Sequence, residues 1–90
     1  MSDERKARWS PLRYVEVEFV DSCTNRGWAP IDEQKKQSHP STCRSVGYLI
    51  ESSRHRVVVA QSQSSDTGNV ADTMAIPRSA VRRIRRLKIV

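Results

Sequence analysis

Leu12-Arg13-Tyr14-Val15-Glu16-Val17-Glu18-Phe19-Val20-Asp21 is the stretch on which the fold turns. Val15, Val17 and Phe19 alternate with Tyr14, Glu16 and Glu18, and a period of two marks a strand with one face buried. A helix over the same residues would scatter these apolar side chains around its axis. The reading therefore begins with β-structure.

Downstream, Ser22 to Pro30 is rich in turn formers and carries Gly27-Trp28. Pro30 is suited to open a short helix, with Asp32 and Glu33 near the positive end of its dipole. Ile31 is the one large apolar residue there, so this helix is expected on the surface. Arg44 to Glu51 reads as a second strand with Val46, Tyr48 and Ile50 on one face, followed by a turn at Ser52-Ser53-Arg54-His55. Arg56 to Ser62 reads as a third strand, whose three successive valines predict burial on both faces. Gln61 to Asn69 holds seven Ser, Gln, Thr or Asn residues and no apolar one, as at an exposed hairpin tip. Val70 to Ile76 forms a fourth strand, closed by Pro77.

The tail admits two readings. Ala80, Ile84 and Leu87 are spaced as on an amphipathic helix, while Pro77-Arg78-Ser79-Ala80 reads as one tight turn feeding a strand from Val81 to Leu87. Turn plus strand is preferred, because four strands leave an open edge that a fifth would close. The expectation is a mainly β fold: a single five-stranded, barrel-like sheet with one short helix between strands 1 and 2. Residues 1–11 form a flexible lead-in, and 12–90 form one small domain.

This order, with Ala75-Ile76-Pro77-Arg78-Ser79-Ala80-Val81-Arg82-Arg83-Ile84 at the turn, resembles the small Sm-like β-barrels, whose last two strands are joined by one 3₁₀ twist. Val15-Glu16-Val17, Asp21-Ser22, Gly27-Trp28, Ser45-Val46-Gly47-Tyr48, Val59-Ala60-Gln61-Ser62 and Ile76-Pro77-Arg78 together resemble short uncharacterised proteins encoded by bacteriophages. That resemblance implies an accessory protein made inside bacteria and acting against host defence, and it supplies no mechanism.

Ninety residues allow one domain and a thin core. The apolar fraction of 37% is low for a globular chain, which predicts a homo-oligomer. Met1 to Ser10 has no apolar run for a translocon, and Val57 to Ala60, the longest such run, is far short of a membrane span. A cytoplasmic protein with reduced Cys23 and Cys43 is expected, in the host bacterial cytoplasm if phage-encoded.

Enzymatic constellations are weak. Asp66-Thr67-Gly68 has the aspartic-protease tripeptide, but polar residues precede it where a buried strand should, so it reads as a hairpin tip. Cys23, His39, Cys43 and His55 include one usable ligand spacing, His39 to Cys43, yet Cys23 lacks a near partner and His55 belongs to another turn. They read as two thiols and two exposed imidazoles, with no metal and no cofactor. No serine lies in a nucleophile elbow, and three glycines in all build no phosphate loop. The chain is expected to be a binding protein and not an enzyme.

Charge is the sharpest signal. Through residue 75 the acids and bases cancel, so the net charge of +6 resides in Arg78, Arg82, Arg83, Arg85, Arg86 and Lys88. Arginine forks grip phosphate bidentately; the plainer role is to keep a sheet edge charged against aggregation. Trp28 is either a lid on the core or a surface on which a base stacks. Asp21 and Ser22 either cap the first strand or share a pocket with Trp28, Ser45 and Tyr48. The expected ligand is a phosphate-bearing small molecule, such as a host immune nucleotide signal, or nucleic acid held by its backbone. The alternative is a protein-interaction inhibitor that docks its basic strand on an acidic host defence protein.

Overall fold

The computed structural model describes residues 6–88. Five strands and one helix follow in the order β1 (Tyr14–Asp21), α1 (Ile31–Gln37), β2 (Ser41–Ser52), β3 (Arg56–Gln63), β4 (Val70–Pro77), a 3₁₀ turn (Arg78–Ala80) and β5 (Val81–Arg86). The tail is thus turn plus strand. Pro77 fixes φ and cannot donate a ladder hydrogen bond, so the chain leaves β4 and turns there. Arg78 N–H donates to His55 O at 3.0 Å, and the Arg78 guanidinium donates to Ser52 Oγ at 3.1 Å, which ties this turn to the one between β2 and β3.

All pairings are antiparallel, in the order β4-β3-β2-β1-β5. β4 and β5 are neighbours in sequence but opposite edges of the sheet. The sheet curls so that the 3₁₀ turn spans from one edge to the other, and two bulges assist. Ile50 is an extra residue in β2 opposite β3, and Arg82 is an extra residue in β5 opposite β1. Bulges increase local twist and bend the strand that carries them. No ladder joins β4 to β5 among the described residues, so the sheet is open and the expected barrel closure is not formed.

The core lies on the concave face. Val15, Val17 and Phe19 of β1 pack with Val57 and Val59 of β3 and Ile76 of β4, flanked by Cys43, Leu49, Ala80, Val81 and Ile84. Alternation along β1 therefore reads as expected, with Val17 fully buried. Two other expectations need correcting. Val46 and Ile50 are exposed, and Tyr48 packs against Tyr14 with ring centroids 5.6 Å apart; the core positions of β2 are instead Cys43, Gly47 and Leu49. Register dictates this, because Gly47 pairs with buried Val15 and Val46 with Glu16. In β3, Val57 and Val59 are buried on the core face and Ala60 on the opposite face, while Val58 is only half-buried, so the expected burial on both faces is complete at Ala60 and partial at Val58.

α1 starts after Pro30 with Asp32 and Glu33 in its first turn, and Ile31 lies on the surface as expected. The hairpin tip also falls where the polar run predicts. Gly68 adopts φ +78°, and a Cβ there would lie 2.7 Å from Arg8 O. Arg8 N–H donates to Ser65 O at 2.7 Å, so the segment before β1 lies against this hairpin.

Candidate functional site: an arginine edge and two clefts

β5 pairs with β1, and this sets the electrostatics of the basic tail. Arg83 faces Glu18 and Arg85 faces Glu16 across the ladder. Arg85 binds the Glu16 carboxylate at 2.8 Å through Nη2, with a second hydrogen bond from Nε at 3.1 Å. Glu18 is held from its other side by Arg44 of β2, at 3.2 Å. A tail without acids in sequence is thus partly neutralised in space. Arg82, Arg83 and Arg86 have no carboxylate partner among the described residues, and all three are exposed on the outer edge of the sheet. Arg78 is engaged by Ser52.

The remaining predicted residues do not meet in one pocket. Trp28 is fully exposed, which overturns the lid reading, and it lines none of the clefts described below. Its loop is held to α1 by Gln34 Nε2, which donates to Gly27 O at 3.3 Å. Asp21 Oδ1 accepts from Ser22 N–H at 2.8 Å, closing the end of β1. Asp21 and Ser22 edge a cleft of about 410 Å³ floored by Phe19, Met74, Ile76, Pro77 and Ala80. Ser45 lines a second cleft of about 490 Å³, with Arg44, Gln61, Asp72, Thr73 and Met74. Met74 is common to both, and Ser45 Oγ donates weakly to its sulfur at 3.6 Å. Tyr48 is on the opposite, convex face beside Tyr14.

Gln61, Asp72, Thr73 and Met74 were missed as site residues by reading the sequence. Gln61 is submerged in a polar run, and Asp72 in a strand of ordinary pattern. Cys23 and His39 share a shallow third cleft, whereas Cys43 sits on the core side of β2 and His55 in the turn before β3. Both cysteines are free thiols. No described helix is long and apolar enough to cross a membrane. Comparison of the chain with protein families, curated proteins and solved structures returns no match, so the reading of the site rests on its own geometry.

Proposed function

We propose that the chain is a non-catalytic binding protein that captures a phosphate-bearing ligand along the arginine edge of β5. The observation that carries this reading is the uneven supply of carboxylates. Glu16 is committed to Arg85 and Glu18 to Arg44, which leaves Arg82, Arg83 and Arg86 available on an open edge. Edge protection needs charge along the edge but not the planar fork of arginine. From Arg82 to Arg86 the strand runs about 13 Å at ~3.3 Å per residue, a length that suits an extended polyanion. None of the β5 arginines lines any of the three clefts described above, which favours a nucleic-acid backbone over an enclosed immune nucleotide. The biological setting we propose is a bacteriophage accessory protein working against host defence in the bacterial cytoplasm.

Support for a small fold of the Sm-like kind comes from the element order and the single 3₁₀ turn, and support for a homo-oligomer comes from the two open edges. Among the described residues seven apolar side chains are buried, while Trp28, Ile31, Val46, Ile50, Val70 and Met74 are exposed. Sedimentation velocity at micromolar concentration should find a species larger than one chain, and a compact monomer would remove this part of the proposal.

The open β5 edge also supports a second reading. Its outward backbone groups would accept an acidic extended segment of a host defence protein as an added strand.

Fluorescence anisotropy with a labelled single-stranded oligonucleotide tests the first reading. Neutralising about three phosphates predicts a roughly twenty-fold loss of affinity between about 50 and 200 mM salt. Absence of binding, or affinity indifferent to salt, would overturn it, and an acidic peptide titrated in parallel tests the second.

A further inference from the structure

The β2–β3 ladder ends at Tyr48 and Ala60, yet both strands continue, β2 back to Ser41 and β3 on to Gln63. Beyond this point, among the described residues, β2 is paired only with β1, and β3 only with β4. The sheet forks. Gly47 sits at the crotch, where a Cβ would come within 2.7 Å of Ala60 O. A second opening occurs at the same place. β3 and β4 keep one register on either side, with Ala60 opposite Thr73 and Ser62 opposite Ala71, but Gln61 and Asp72 between them are unpaired. Asp72 has φ +58°, a left-handed conformation that disrupts the ladder locally and is uncommon for a residue with a side chain.

Among the described residues Gln61 therefore has no strand partner on either side, and it lines the 490 Å³ cleft. That volume falls in the range of small-molecule sites. Val46 and Met74 supply exposed apolar surface, buried Val59 lines the cleft from the core, and Ser45, Gln61, Asp72, Thr73 and Arg44 surround it. The side chains of Gln61, Asp72 and Thr73 make no hydrogen bond among the described residues.

We propose that this fork binds a nucleoside. A thioether and a valine suit one face of a flat ring. A carboxamide pairs with the donor–acceptor edge of a base. A carboxylate accepts from ribose hydroxyls. The β5 arginines take no part in the cleft, so the inference stands apart from the phosphate edge.

The test is chemical-shift mapping of the full chain with adenosine, guanosine, cytidine and uridine, which carry no phosphate. One of them should produce saturable shifts at Ser45, Gln61, Asp72 and Thr73, unaffected by salt and by Arg83→Ala. Asp72→Gly retains the left-handed backbone while deleting the carboxylate, and Gln61→Ala deletes the amide. Each should weaken the nucleoside by about tenfold or more, with the fold intact. The proposal fails if no nucleoside shifts these amides, or if both variants bind at full strength. It also fails if the cleft amides shift with protein concentration alone, which would assign the fork to a second copy. Failure of the oligonucleotide to bind β5 would leave this titration unchanged.

Discussion

Glu16 and Arg85 lie 69 residues apart in sequence and meet at 2.8 Å across the β1–β5 ladder. Arg83, two positions away on the same face of β5, has no carboxylate partner among the described residues, and the Glu18 it faces is taken by Arg44. Two arginines in equivalent strand positions thus have different work.

Arg85→Ala is expected to lower stability by about 0.2–1 kcal/mol, as for partly exposed pairs, and the loss should shrink at high salt. Arg83→Ala should leave the melting temperature unchanged and weaken oligonucleotide binding, with Lys restoring part of it. Thermal melts and anisotropy on the two variants separate the roles. Equal effects on both readouts would show that they act alike.

Gly47→Ala should destabilise the chain by about 1–3 kcal/mol, the usual cost of forcing atoms into a packed site. The obstacle is the Ala60 carbonyl, which belongs to the backbone and moves only if β2 and β3 part. Denaturant unfolding measures the loss. A variant as stable as the parent would mean that the fork opens freely at this point.

The Arg56 guanidinium binds the Glu51 carboxylate through two hydrogen bonds, at 3.1 and 3.2 Å, and holds its pKa below the ordinary 4.5, with Ser53 assisting. A depressed carboxyl pKa favours the folded state above the unfolded value, and that contribution disappears as pH falls through the folded one. Titration of the Glu51 carboxyl carbon by NMR should give a midpoint under 4.5, returning towards it in Arg56→Ala. An unchanged midpoint in the variant would assign the shift to Ser53.

Val17 is fully buried at the centre of β1, flanked by Ser45 on one side and Ile84 on the other. Val17→Ala removes two methyl groups from the core and should cost about 2–3 kcal/mol. In a domain with so small a core, that is a large share of the total. Calorimetry should show a marked fall in melting temperature, whereas Val46→Ala on the convex face should change it little.

The alternation of Tyr14 to Asp21, the surface helix after Pro30, the polar tip before Val70 and the turn at Pro77 are all legible in the sequence. Each depends on local chemistry: side-chain period, proline geometry, or lack of anything to bury. What depended on partners was not legible. Val46, Tyr48 and Ile50 share a face by period, but period does not say which face meets the core. Pairing Gly47 with Val15 decided that, and the bulge at Ile50 changed the phase afterwards. The +6 excess of the tail is a fact of composition. That Glu16 tempers it while Glu18 is drawn to Arg44 follows only because β1 lies between β5 and β2, which no count along the chain contains. The fork at Gly47 is likewise absent from any local pattern, since both strands remain regular while the ladder between them stops. Local periodicity determined the strands, and strand order and register, set by long-range packing of the concave face, decided which charges met and where the sheet opened.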